Sequence, residues 1–206
     1  MPTQIDLFGA HVALPPGLPD GIDYAPDIMT PDEEMALVVH LEQVAVTPFR
    51  FQGWLGKRLT TSFGWRYDFD DASFARTEPI PDYLLPLRDR AAGFAGMVAA
   101  DLVQVLVTRY DPAAGIGWHR DRPVFDHVIG VSLETEAVLR LRRRTEKGFD
   151  RAALPLAPRS IYHLSGEARH GWEHSIAAMQ ARRWSVTFRS LSEKGRKAEN
   201  QAGALA

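Results

Sequence analysis

At 206 residues, with 24 Lys plus Arg against 26 Asp plus Glu, the chain has room for one sizeable domain and a formal charge of -2. That balance excludes a surface built throughout for polyanions, while a local basic patch remains compatible with it. Cysteine is absent, which excludes disulfide frameworks, thiolate metal sites and cysteine nucleophiles, so any metal must be held by His, Asp or Glu.

Residues 1–10, MPTQIDLFGA, lack a basic stretch followed by an apolar core, and no apolar run approaches the length of a membrane span; a cytoplasmic monomer is expected. Residues 1–29, with Pro15, Pro16, Pro19 and Pro26 among glycines and aspartates, read as an extended arm. Within it, Gln4 to Phe8 (QIDLF) is similar to the short peptide by which bacterial repair proteins dock on the replication sliding clamp, although a self-packing N-terminus explains the same residues. The domain is expected over residues 30–191. Thr30-Pro31-Asp32-Glu33 combines a cap, an early proline and a glutamate three residues after the cap, and predicts a helix of about a dozen residues. Leu84, Leu87, Ala91 and Phe94 recur at helical spacing and predict a second helix over residues 81–96. Between the two helices, residues 49–69 interleave aromatics with Arg and Lys and read as a hairpin. Runs rich in Val, Ile and Leu then predict strands at 102–109, 127–133, 137–143, 159–164, 171–176 and 183–190. Helices first and strands second imply an α+β fold with a sandwich or barrel. Residues 192–206 have no apolar period and read as a frayed helix or a flexible tail.

The chemistry begins at "GIGWHRD", where His119 and Asp121 stand two apart. On a strand they would share a face, with Arg120 turned away, and so form two arms of a metal site. The motif by itself is weak, and a third ligand must come from elsewhere. Residues 183–189, "RWSVTFR", alternate strictly: Arg183, Ser185, Thr187 and Arg189 on one face, Trp184, Val186 and Phe188 on the other. Either the basic face is solvated, or it points into a barrel and grips an acid through charge-assisted hydrogen bonds.

With "RYDPAAGIGWHRD", "SGEARHGWEHSI" and "RRWSVTFRSL" in that order, residues 58–191 resemble the AlkB-like iron(II) and 2-oxoglutarate-dependent dioxygenases. The resemblance implies a double-stranded β-helix (jelly-roll) core with N-terminal helices and a substrate lid. It implies His119, Asp121 and His174 as iron(II) ligands, a two-His-one-carboxylate face that leaves positions for 2-oxoglutarate and O2. Arg183 and Tyr110 match residues at the far carboxylate of 2-oxoglutarate, and Arg189 matches the arginine nearer the metal. Thr108 and Ser185 stand where well-known members have Asn, and Pro123 where repair members commonly have an acid. The implied reaction hydroxylates a substrate C–H; on an N-methyl group the product then releases formaldehyde.

The implied substrate is an N-alkylated base in single-stranded DNA or RNA, with Trp65, Arg66 and Tyr67 in the segment that matches the family's lid. Arg140, Arg142, Arg143 and Arg144 suit phosphates, or form an ion-pair network with Glu146 and Asp150. A hydroxylase or demethylase acting on protein or a small molecule, and a catalytically silent β-barrel binding module, are the other classes this pattern allows.

Overall fold

The computed structural model describes residues 14–51, 54–67 and 74–203. The Gln4 to Phe8 segment and residues 52, 53, 68 and 69 of the aromatic stretch lie outside them. In chain order, strand β1 (Ile22–Ala25) precedes helix α1 (Pro31–Glu42). Strands β2 (Thr47–Phe51), β3 (Trp54–Phe63), β4 (Trp65–Tyr67) and β5 (Phe74–Arg76) follow. After a 3-10 turn at Asp82–Leu84 come helix α2 (Leu85–Phe94), β6 (Leu102–Tyr110), β7 (Ile116–His119) and β8 (Phe125–Leu133). Next are β9 (Ala137–Thr145), β10 (Gly148–Leu156), β11 (Ser160–Leu164) and helix α3 (Gly166–His170). Strands β12 (Glu173–Ile176) and β13 (Arg183–Leu191) lead to helix α4 (Glu193–Gly203). Among the described residues, no helix is long and apolar enough to cross a membrane.

Helix α1 starts where its sequence says it should. Thr30 Oγ1 accepts from the Glu33 amide at 3.2 Å, and Glu33 Oε2 accepts from the Thr30 amide at 2.6 Å, so two amides with no partner inside the helix are satisfied reciprocally. Val38 and Leu41 are its buried residues, while Met35 and Val39 stay exposed. Helix α2 is shorter than expected. Pro86 occupies its first turn, where a missing amide costs nothing, and Gly96 at φ +64° follows its end in the left-handed conformation that glycine tolerates.

A seven-stranded sheet runs in the order β1-β11-β8-β13-β6-β3-β2, a four-stranded sheet β10-β9-β12-β7, and β4 pairs with β5 as a separate ribbon. The two larger sheets form the jelly roll of an α+β fold. Helices α1 and α2 cover the outer face of the larger sheet, with Leu41, Leu84, Val107, Trp184, Val186 and Phe188 in one apolar cluster. A second cluster draws Val128, Leu139, Leu141, Leu164, Trp172 and Ile176 from both sheets. This leaves one end of the space between the sheets for polar groups. Gly130 keeps part of that space available, since a Cβ there would lie 2.3 Å from the Tyr162 ring.

Several elements differ from expectation. The arm contributes β1, an edge strand paired with β11 (Asp23 opposite His163), and Gly21 and Asp20 accept from the amides of Ser165 and Ala168. Strand β10 is not among the expected strands, and it contains Pro155. The structure accommodates the proline because β10 is the edge of its sheet, where an amide need not be donated. The expected strand at 171–176 begins only at Glu173; its first residues close the short helix α3. The tail, expected as a frayed helix or a flexible segment, is helical as far as Gly203.

Candidate active site

Pairing of β7 with β12 sets His119 opposite His174, with ring centroids 4.3 Å apart. Asp121 lies just past the end of β7, its Oδ2 3.8 Å from His174 Nε2. Arg120 turns away and donates to the His170 carbonyl at 3.3 Å. His119 Nδ1 is 2.9 Å from the Gly117 carbonyl oxygen. A carbonyl only accepts, so Nδ1 holds the proton and Nε2 keeps its lone pair, the state a metal-binding imidazole requires.

The electrostatics agree with that state. Burial lowers the His119 pKa, and burial together with neighbouring His119 pushes His174 down to about 3, so both rings are neutral. Burial alone would raise the Asp121 carboxyl. The Arg189 guanidinium beside it outweighs burial and holds Asp121 well below the usual carboxylate range. Arg189 Nη2 donates to Asp121 Oδ1 at 2.8 Å, and its Nη1 donates to Gln104 Oε1 at 2.9 Å. Asp121 Oδ2 is buried with no hydrogen-bond partner among the described residues. Among those residues, no three acidic or imidazole side chains are already closed around a common point. The structure thus brings two neutral imidazoles and an ionised carboxylate together, with one carboxylate oxygen committed to Arg189 and the other unpartnered. Nitrogen and oxygen donors with a spare buried lone pair fit a divalent transition metal such as iron(II).

Strand β13 supplies the facing wall. All nine of its residues are buried, so the solvated basic face weighed from the sequence does not occur. Trp184, Val186 and Phe188 enter the core, while Arg183, Ser185, Thr187 and Arg189 line a cavity of about 1290 Å³. Arg183 is 1% exposed. Its Nε donates to Ser132 Oγ at 3.0 Å, and its guanidinium lies 5.3 Å from the Tyr110 ring centre. Among the described residues it forms no ion pair with a carboxylate. Ser185 sits opposite Thr108 in register, and both are buried in the cavity wall. Burial pushes the Tyr162 phenol up to about 12, so the wall offers a protonated hydroxyl beside this cation.

The lid residues separate. Arg66 lines the cavity, but Trp65 does not: it is 4% exposed and stacks on Phe74 at 4.7 Å, with Arg76 5.2 Å from its ring centre. The expectation that Trp65 receives a substrate base is corrected by this packing, because the indole is buried against Phe74 and is not among the residues lining the cavity. The side chain of Tyr67 lies outside the described residues. Phe49, Trp118 and Arg58 line the cavity instead. Trp118 was within reach of the sequence, since its neighbour His119 had already been singled out. Arg169 was not, because it comes from the unforeseen α3. It is 3% exposed and its Nη2 donates to the carbonyls of Arg122 and Phe125, both at 2.7 Å, which ties α3 to the turn after Asp121.

Residues 25–196 match the family model described as the 2OG-Fe(II) oxygenase superfamily. The chain is 26% identical over 168 residues to the Xenopus tropicalis tRNA (carboxymethyluridine(34)-5-O)-methyltransferase alkbh8, covering 79% of this chain and 26% of that protein. It is 27% identical over 200 residues to the Arabidopsis thaliana Alkylated DNA repair protein ALKBH8 homolog, covering 84% of this chain and 54% of that one. The chain therefore spans a quarter to a half of the length of these relatives. The structure of OsALKBH1 superposes with a TM-score of 0.65 at 14% identity, over 84% of this chain and 98% of the other, and shows the same fold.

Proposed function

We propose, for a chain that belongs to the 2OG-Fe(II) oxygenase superfamily and is AlkB-like within it, that it oxidatively removes alkyl groups from N-alkylated bases of single-stranded DNA or RNA. The observation that supports the cosubstrate most directly is Arg183, a buried cation that forms no ion pair among the described residues and faces the cavity containing Asp121. A guanidinium so placed is costly unless a ligand carboxylate meets it. The far carboxylate of 2-oxoglutarate does so, with Tyr110, Thr108 and Ser185 as hydroxyl partners.

In this reading His119, Asp121 and His174 hold iron(II), and the unpartnered Asp121 Oδ2 is the oxygen left for it. When bound, iron(II) and 2-oxoglutarate supply the oxidising chemistry: one oxygen atom of O2 enters succinate with loss of carbon dioxide, and the other enters a substrate C–H bond. An N-methyl group so hydroxylated loses formaldehyde, leaving the N–H base. Arg189 holds Asp121 ionised and oriented, and Gln104 holds Arg189. Arg169 fixes the turn that carries the carboxylate. No side chain need accept a substrate proton; the protein binds, orients and excludes water.

Support for a nucleic-acid substrate comes from charge and from relatives. Arg50, Arg58, Arg66, Arg120 and Arg122 line the cavity, against Asp121 and Glu173 as its acids, and phosphates complement that excess. The relatives are named for tRNA and for alkylated DNA. The test is formaldehyde and succinate production with methylated single-stranded DNA, duplex DNA, transfer RNA and methylated peptides. Formaldehyde from single strands above duplex is expected, because a base in a single strand needs little unpairing to enter a pocket. Turnover of peptide alone would replace this reading with a protein hydroxylase.

A further inference from the structure

Resting on that reading, we propose that the outer face of the four-stranded sheet is a track for the sugar-phosphate backbone of one nucleic-acid strand leaving the cavity. Strand β9 alternates buried Leu139 and Leu141 with outward Arg140, Arg142 and Arg144. The register places Arg151 opposite Arg142 and Phe149 opposite Arg144 on β10, and Glu173 and Ser175 opposite Arg142 and Arg140 on β12. These guanidinium groups lie on aromatic planes. Arg142 is 4.5 Å from the centre of the Trp118 ring and 4.6 Å from that of Phe149. Arg140 is 5.2 Å from Trp118, and Arg144 and Arg151 are 5.3 and 5.5 Å from Phe149.

Charge on the face is not balanced within the protein. Glu173 accepts from Arg142 at 2.6 Å, whereas Arg140, Arg144 and Arg151 form no ion pair among the described residues. Arg143, which shares their stretch of sequence, does: it pairs with Asp150 at 2.9 Å and also with Glu167. Like charges facing each other across a strand pair, as Arg142 and Arg151 do, are destabilising. A polyanion offsets that repulsion. Stacking also holds each guanidinium plane while leaving its N–H edge for phosphate oxygens. Alternate residues on a strand are spaced by roughly 6.6 Å, a step that one extended nucleotide can follow, and the interleaved aromatics give bases a surface to stack on. The face is continuous with the site, since Trp118, Arg120 and Glu173 also line the cavity.

The experiment measures binding of unmodified single-stranded DNA and RNA, long enough to extend beyond the cavity, by the full chain across a salt series. Arg144→Ala/Arg151→Ala is compared with wild type and with Arg143→Ala. The double variant should bind roughly tenfold more weakly at low salt, and its log Kd against log salt slope should fall by about 1.4, the loss of two phosphate contacts on a single strand. Arg143→Ala should match wild type, and all three proteins should turn over a methylated mononucleotide equally. A double variant with the wild-type slope would overturn the track, as would a wild type that binds acidic peptide but no oligonucleotide. Failure of the demethylation reading looks different: oligonucleotides bind with the expected slopes, yet methylated ones yield no formaldehyde.

Discussion

Asp121 and Arg183 pose opposite electrostatic problems, and each predicts its own phenotype. Asp121 is a buried carboxylate with one oxygen on Arg189 and one without a partner. With iron(II) and 2-oxoglutarate under anaerobic conditions, wild type should show a weak visible charge-transfer band. Asp121→Ala should show none; a normal band in that variant would remove Asp121 from the ligand set. Arg183 is a buried cation with hydroxyl and aromatic neighbours. Lysine keeps the charge but loses the planar fork, so Arg183→Lys should raise the KM for 2-oxoglutarate roughly 10- to 100-fold, the loss of a charge-assisted pair worth about 1.5–3 kcal/mol. Arg183→Met should abolish cosubstrate binding and yet raise the melting temperature of the ligand-free protein, because a desolvated charge is replaced by an apolar chain. A ligand-free variant that melts below wild type would mean that the cation is satisfied within the fold.

Among the elements, α1 and β13 show how local pattern and packing divide the work. Helix α1 is capped by Thr30 and Glu33, and it packs on the face of the large sheet away from the cavity. Thr30→Ala should therefore cost about 1 kcal/mol and lower the melting temperature by roughly 2–4 °C, with kcat and KM unchanged. A change in KM for 2-oxoglutarate would show that α1 transmits to the cavity wall. Strand β13 is the reverse case, since its apolar face seals the core while its polar face is the site. Helix α3 matters through one side chain, Arg169, whose two carbonyl contacts fasten the turn after Asp121. A five-residue helix has no period long enough to be read from sequence, so its role emerged only when the turn it grips was visible.

For the molecule as a whole, the cavity is lined by strands of both larger sheets, so occupying it should stabilise the entire fold. Manganese(II) with 2-oxoglutarate at 100 times Kd should add about 2.7 kcal/mol, seen as a rise of roughly 5–10 °C in melting temperature. The part of the rise that 2-oxoglutarate adds beyond manganese(II) alone should vanish in Arg183→Met. A shift that persisted there would place the cosubstrate elsewhere.

The sequence by itself determined the α+β order of elements, the capped start of α1, the alternation of β13 and the grouping of His119, Asp121 and His174 by resemblance. These are legible because each depends on local period, local hydrogen bonding or a motif of fixed spacing. The tertiary structure decided matters that depend on partners distant in the chain. Alternation in β13 is the same whether its arginines face solvent or a cavity; pairing with β6 and β8 on either side, with α1 and α2 over its apolar face, turns the arginines into the cavity. Trp65 has the composition of a base-stacking residue, but it is buried with Phe74 stacked on it and Arg76 beside its ring. The four arginines 140, 142, 143 and 144 look alike in sequence, and only the placement of Glu173, Glu167 and Asp150 divides neutralised charge from charge that still seeks an anion. Ion pairing and burial are set by groups brought together from separate strands, and no window along the chain contains that information.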